Sequence, residues 1–489
     1  MLGNLIAQGG NLGRDATFAT VFGSNLTVDC FLLATMVPVF IATVGTGAYR
    51  SAIVPLLERI AHQGGALARR AVVARTLKVN GSIVLGVAAV LAIGAAWYGR
   101  LLATRLPPPA AELIAVFTWA ALPMLALSCW ASLADGALQA EGRFFAAAAG
   151  RALPPLGMAS ASILLGPRYG LWAACAGGLA GAIAQCVLVV ALLDGRRLVE
   201  ARTKMARSDD VLLLAPFMFL AASISIQYVS PIVDQLMASL LGPGAVSTLG
   251  YANRLAVGAG SLAAAAVGPV LLPLFTRLLA QRDGAALEHY YLGVLRLTFW
   301  TGLLMTAALW LVAQPLVAVL YEHGEFSRGD TDAVARVLAV LALQFPVLLP
   351  GVVAATLIAA TRRNRIFLPL TVCTALVNAA GNLLLMRALG LAGIALATVI
   401  TYAVSLIAMN VYLHRRGVVS VPARLAIEAV AGIAGTALLA NVILELGLRP
   451  GVIPTLPQIA GSVALVTLLA SVAFRLTRPV LVLAARREV

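Results

Sequence analysis

Long apolar runs, separated by short polar or basic turns, fill this chain from end to end. About 20 apolar residues coiled as an α-helix match the thickness of a bilayer's hydrocarbon. Inside that layer a helix also pairs every backbone N–H and C=O within its own segment. On this criterion the pattern predicts fourteen membrane helices, near 3–23, 28–56, 79–99, 110–138, 144–166, 170–193, 211–241, 244–276, 291–320, 333–360, 366–387, 390–413, 423–446 and 457–475. The first is the weakest, because Gly9, Gly10, Gly13, Arg14 and Asp15 interrupt it. The fold class is therefore an all-α polytopic membrane protein. The opening MLGNLIAQGGNLGRD has no basic leader and no small-residue cleavage site, so no signal peptide is expected.

The pattern also repeats. DATFATVFG at Asp15–Gly23 is echoed by DQLMASLLG at Asp234–Gly242, each with a carboxylate two turns before a glycine. YGLWAACAGGLAGAIAQ from Tyr169 is echoed by LGLAGIALATVITYA from Leu389, and LQAEGRF more weakly by LIAATRRNRIF. The offset is nearly constant and spans six helices, which preserves orientation. The expected architecture is two parallel six-helix lobes, 1–196 and 211–416. A cytoplasmic linker, 197–210, joins them, and 417–489 adds helices 13 and 14 with a basic tail.

Composition agrees: 61% of residues are apolar and 11% charged, against about 25% charged in soluble domains. The net charge of +15 sits in short loops rather than on a folded surface, which argues against nucleic acid as a partner. Arg59, Arg69, Arg70, Arg75 and Lys78 share one loop; Arg196, Arg197, Arg202, Lys204 and Arg207 share another on the same side. The opposite loops are poor in Lys and Arg, so the basic side is cytoplasmic and both termini are expected there. Cys30, Cys129, Cys175, Cys186 and Cys373 all lie in apolar runs without a CxxC spacing, and read as small core residues.

Charges inside the spans carry the candidate chemistry, because an ionisable group in hydrocarbon is costly. Arg151 and Arg296 lie near cytoplasmic ends and read as snorkelling; Asp135 and Arg50 read as reaching inner-leaflet water and headgroups. Arg14, Asp15, Asp29, Asp234 and Arg254 are harder to place outside the bilayer. Arg14 and Asp15 are adjacent, so each is expected to need its own partner. Asp29 opens the second helix, where an N-cap is the structural alternative. Asp234 and Arg254 have a structural ion pair as theirs. Ser223, Gln227 and Ser230 form a polar stripe at helical spacing. The acidic run YEHGEFSRGDTD, 321–332, reads as a solvated outer loop. No nucleophile elbow, phosphate loop or zinc-protease motif is present, and neither a cofactor nor a metal is expected.

GRDATFATVFGSNLTVDCFLLATMVP, AYRSAIVPLL, LGYANRLAVG and LYEHGEFSRGDTD together resemble the MurJ/MviN branch of the exporter superfamily that also holds MATE transporters and polysaccharide flippases. The resemblance covers nearly the whole chain. It implies a flippase, not an enzyme, that moves undecaprenyl-pyrophosphate-linked saccharides, typically lipid II, across the bacterial inner membrane. It further implies a cationic cavity between lobes, a lipid-tail groove at helices 13 and 14, and alternating access driven by membrane potential. Cell-envelope biosynthesis proteins would be its neighbours. By motif, Arg14, Asp15 and Asp29 match the branch's first-lobe charges, and Arg254 its second-lobe arginine, with Asn253 where many members carry an acid. Ala42 and Thr43 stand where arginines are expected, and Thr46 where an acid is. An exopolysaccharide unit or other lipid-linked oligosaccharide is the alternative substrate. A MATE-like cation-coupled exporter using Asp15, Asp29 and Asp234 is an alternative within transport, and a polyprenyl-dependent glycosyltransferase or ligase is one from another class.

Overall fold

A computed structural model describes residues 2–140, 143–193, 230–361, 363 and 366–420. The linker 197–210, most of the span expected at 211–241 with Ser223 and Gln227, and the spans expected at 423–446 and 457–475 lie outside the described residues. Within them the order is α1 (Leu2–Phe22), α2 (Leu26–Leu102), α3 (Ala110–Ala140), α4 (Phe144–Gly150), α5 (Leu153–Tyr169), α6 (Leu171–Leu192), α7 (Ala245–Ala280), α8 (Gly284–Tyr321), α9 (Arg328–Ala342), α10 (Phe345–Ala360), α11 (Phe367–Leu389) and α12 (Leu391–Arg415). Residues 230–239 are also helical, and no strand occurs among the described residues. The chain divides into two compact units: Met1–Thr248 with Leu320–Asp330, and Leu249–Val319 with Thr331–Val489.

In the first unit the second and third expected spans are one helix, not two helices and a loop. A straight helix of 77 residues would run about 115 Å. Here the Tyr98 hydroxyl donates to the Leu33 carbonyl at 2.6 Å, so the two ends of α2 lie side by side. Ile53, Leu57, Val72, Val73 and Leu77 share one core, which puts the reversal between Leu57 and Val72. The expected basic loop stays helical because its sequence, rich in Ala, Leu and Arg, favours helix. α3 packs along α2, and the Trp119 indole N–H donates to the Ala92 carbonyl at 2.7 Å.

The span expected at 144–166 is broken. α4 ends at Gly150 and α5 begins with Pro154 and Pro155 in its first turn, where a missing N–H costs nothing. This break brings Arg151 to Asp135 on α3, with Nε 3.6 Å from Oδ2 and Asp135 fully buried. Both residues were expected to reach water; they meet each other instead, because a carboxylate inside the helical packing needs a cation beside it. α5 and α6 then approach backbone to backbone: a Cβ on Gly157 would overlap the Gly177 carbonyl, and one on Gly177 the Gly157 carbonyl.

In the second unit the core gathers Phe275, Tyr291, Val353, Leu357 and Leu413, and the Tyr291 hydroxyl donates to Asn410 Oδ1 at 2.7 Å. The span expected at 333–360 is a pair, α9 and α10, bent by 44°. Pro346 lacks the N–H that would bond the Ala342 carbonyl, and the Thr306 hydroxyl donates to that carbonyl at 2.7 Å instead. The repeat read from the sequence has a local counterpart: Gly170 (φ 57°, ψ −145°) joins α5 to α6, and Gly390 (φ 58°, ψ −133°) joins α11 to α12 in the same left-handed geometry.

Seven described helical stretches, two of them within α2, are long and apolar enough to cross a bilayer, or eight counting the bent pair. Ile93, Leu164 and Val319 are more than 70% exposed, as lipid-facing side chains should be. Trp97, Tyr169 and Trp172 are exposed near helix ends, as interfacial aromatics are. The chain is a multi-pass membrane protein. α1 is 21 residues long but less apolar than these spans, and α7 is 36 residues long. They are the helices that carry Arg14, Asp15, Asn253 and Arg254.

The α5–α6 contact generates a direct test. Gly177→Val should destabilise the protein by about 2–3 kcal/mol through overpacking, read as a lower melting temperature in detergent. Gly94→Ala, where a Cβ would meet nothing within 4 Å, should leave it unchanged.

Candidate functional site

α1 packs against α4 and α5, with Phe22 beside Gly166, and Phe18 sets its ring 5.7 Å from that of Phe31 on α2; Phe18, Ala19 and Phe22 are all buried. Arg14 and Asp15, in the middle of the helix, do pair with each other: Nη2 and Nε of Arg14 donate to Asp15 Oδ1 at 2.8 and 3.0 Å. This corrects the expectation that neighbours cannot meet. Their Cβ atoms diverge, but the three-carbon arginine stem is long enough to fold back over the short aspartate. Asp15 is 6% and Arg14 17% exposed in the side chain, so the carboxylate holds the guanidinium where it still reaches open space. A guanidinium has five N–H donors, of which two serve Asp15; the rest suit a phosphate's planar array of oxygens.

Asp29 does not cap its own helix. Asn25 does, accepting from the N–H groups of Thr27 and Val28 at 3.0 and 3.1 Å. The Asp29 carboxylate, fully buried, instead accepts from the backbone N–H of Gly244 at 2.6 Å and of Ser247 at 2.7 Å. Those are orphan donors at the N-terminus of α7, where a negative charge is also favoured by the helix dipole. Ser24 Oγ lies 2.9 Å from Ser247 Oγ and donates to the Gly244 carbonyl at 3.2 Å.

The 320–330 loop closes over the same corner. Glu325 N–H donates to the Thr20 carbonyl at 2.9 Å. Gly23 (φ 69°) and Gly324 (φ 61°) are both left-handed, and each lies flat against the other's segment. A Cβ on Gly23 would come within 2.7 Å of the Glu325 carbonyl oxygen, and one on Gly324 would overlap the Thr20 carbonyl. The acidic loop read as merely solvated thus keeps His323 and Glu325 exposed while its backbone docks. Sequence reasoning missed this contact. The only signal was a glycine in each segment, in VFG and HGE.

The remaining candidates are spread over both units. Asp234 is half-buried on the 230–239 helix in the first unit, and Asn253 and Arg254 are half-buried on α7 in the second. Asp234 and Arg254 each have polar or electrostatic partners. Ala42 and Gly45 line an apolar cavity of about 110 Å³ between the two spans of α2 and α3, with Pro38, Ile83, Val87 and Leu122. The Thr43 hydroxyl is spent on the Val39 carbonyl. No cation stands at either position where the resemblance called for one. Among the described residues, no group of three or more His, Cys, Asp or Glu side chains could hold a metal ion.

A family model described as lipid II flippase MurJ matches residues 18–449. Arg14 and Asp15 lie just ahead of that segment. The lipid II flippase MurJ of Burkholderia cenocepacia is 28% identical over 353 residues, covering 68% of this chain and 67% of the relative. The probable lipid II flippase MurJ of Rhizobium meliloti is 27% identical over 408 residues, covering 79% and 74%. Among solved structures, a lipid II flippase MurJ in an inward closed conformation superposes with a TM-score of 0.80 at 18% identity, covering 97% of this chain and 98% of that one. An inward-facing MATE family multidrug transporter superposes with a TM-score of 0.68 at 15% identity, covering 85% and 94%. The MATE likeness is one of fold, whereas the family match runs through most of the sequence, and by it this chain belongs to the MurJ family.

Proposed function

We propose that this protein is a flippase that carries a polyprenyl-pyrophosphate-linked saccharide, lipid II first among them, from the inner to the outer leaflet of the bacterial inner membrane. Family membership supports a transporter rather than an enzyme, and the named relatives supply the substrate class. The structural observation that carries the reading is Arg14: an arginine in mid-helix, oriented by a buried carboxylate and with donors to spare. A pyrophosphate cannot cross hydrocarbon unaided, and a fixed guanidinium is the side chain suited to receive it. Asp15, Asp29, Asp234, Asn253 and Arg254 complete the proposed site. The lobes are taken as 1–196 and 211–416, with 417–489 outside them and both termini cytoplasmic. Enzymes that build and consume the lipid carrier are the natural neighbours.

On this orientation the corner between α1 and α2 is extracytoplasmic. The Asp29 bonds that anchor the α7 N-terminus there are charge-assisted, each contributing about 1.5–3 kcal/mol.

One observation favours a second substrate within the same function. Ala42 lines an apolar cavity where the resemblance expects an arginine. A headgroup less demanding of cationic contacts, such as an exopolysaccharide repeat on the same carrier, fits that change.

Arg14→Ala and Arg254→Ala should each abolish complementation in cells depleted of their lipid II flippase, with normal amounts of protein in the membrane fraction. Full activity of both variants would remove them from the site. Asp29→Asn, which leaves one acceptor for two N–H donors, should lower stability by about 2 kcal/mol. It should also raise labelling of a Ser24→Cys variant by an impermeant thiol reagent several-fold; unchanged labelling would contradict the anchoring of the α7 N-terminus by Asp29.

A further inference from the structure

The apolar cleft beside Ala42 lies between the two arms of α2, Leu26–Gly47 and Val72–Leu102, and α3. Each helix turns one face toward it. Pro38 and Gly45 stand at i and i+7 on the first arm, and Leu125 and Cys129 at i and i+4 on α3. Val84, Val87 and Leu91 stand at i, i+3 and i+7 on the second arm. Three faces that point at one another leave about 110 Å³ between them, and apart from Asn80 and Cys129 the lining is apolar.

The borders of the cleft decide what can enter it. The arms of α2 meet at both ends: Tyr98 donates to the Leu33 carbonyl at one, and Leu77 joins the core of Leu57 and Leu133 at the other. α3 seals one long edge of the second arm. There Trp130 lies against Gly81, the Trp119 indole donates to the Ala92 carbonyl, and the Ala111 carbonyl lies against Gly99. The other edge is Ile83 and, two turns on, Val90, both more than half exposed. Ile83 also lines the cleft, so the opening runs onto an apolar, outward ridge of a membrane span. What lies against such a ridge is the hydrocarbon of the bilayer.

Size narrows the occupant further. An apolar cavity of about 150 Å³ admits a benzene ring. A cleft of about 110 Å³ instead suits the methylenes of a straight chain in single file, without rings or the methyl branches of an isoprenoid. The second arm also lacks protein contacts: 6% of its most apolar stretch is buried, against 50% in the first arm. A chain seated in the cleft would touch both arms and α3, and supply the dispersion contacts that no side chain there makes. We propose that this cleft is a phospholipid site, which holds one acyl chain as a packing element between the arms of α2 and α3. The site requires that the protein spans a bilayer, whatever it transports.

The test uses the full-length protein in vesicles of phosphatidylcholine that carries a diazirine on one acyl chain. After photolysis, mass spectrometry should find adducts on Val84, Val87 or Leu125 in the cleft as well as on Leu85, which faces outward. Gly45→Leu places a side chain where a Cβ meets nothing within 4 Å, and should fill the cleft. It should remove the cleft adducts and keep those on Leu85, which also shows that the variant is folded and inserted. Gly86→Leu, equally unobstructed but on the exposed side of the second arm, should remove neither. Absence of cleft adducts in the wild type, or their persistence in Gly45→Leu, overturns the proposal. Labelling of the cleft by a diazirine-bearing polyprenyl phosphate and not by the phospholipid also overturns it, and assigns the cleft to a carrier's tail.

Discussion

An ionised side chain inside a bilayer must meet a partner, because hydrocarbon supplies none. Much of this structure follows from how that requirement is met at each charge. Asp135 meets Arg151 at the break between α4 and α5. Asp15 meets Arg14 on the same helix. Asp29 is stabilised by the backbone N–H groups that begin α7. These three solutions have different consequences. The Asp135–Arg151 pair lies inside one packed unit and fixes helices. The Arg14–Asp15 pair occupies two of the five guanidinium N–H donors. The Asp29 contact involves backbone donors of another segment, so it can be undone without stranding a cation.

The same economy governs the backbone. Where helices break, the freed groups are satisfied locally: the Thr306 hydroxyl serves the Ala342 carbonyl opposite Pro346, and the Trp310 indole N–H serves the Ala339 carbonyl one turn earlier. Where helices touch, glycines remove the Cβ atoms that would keep them apart, as at Gly157 and Gly177. The result is a set of rigid helical packings, with left-handed glycines at the corner near Gly23 and Gly324. Such corners are where a transporter can change conformation without repacking its cores.

Much of this was legible in the sequence for physical reasons. Hydropathy reports burial in lipid directly, so the described helices fall where apolar runs placed them. The weak first span is weak because it is part of the candidate site: Arg14 and Asp15 lower its apolarity. The turn glycines Gly170 and Gly390 were visible as corresponding positions in a repeat. What could not be read was anything that depends on three dimensions. The reversal within α2 looks like a basic loop because helix-forming and loop-forming basic stretches share composition. Asp29 looks like an ordinary cap because its partners, Gly244 and Ser247, are remote in sequence. Arg151 looks like a snorkelling residue and Asp135 like one facing inner-leaflet water until the break at Gly150 brings them together. The docked loop at Gly324 looks solvated because its side chains are, while its contacts are made by backbone.

In the proposed function, the Arg14 guanidinium, held by the neighbouring Asp15 carboxylate, receives a lipid-linked anion that carries the peptidoglycan precursor. The most direct measurement is depletion of this protein in its own bacterium, followed by leaflet-resolved quantification of lipid II with a membrane-impermeant modifying reagent. Lipid II should accumulate in the inner leaflet, protected from the reagent, before growth stops. Unchanged lipid II distribution, with loss instead of a surface polysaccharide, would contradict it and transfer the same site to that polysaccharide's carrier.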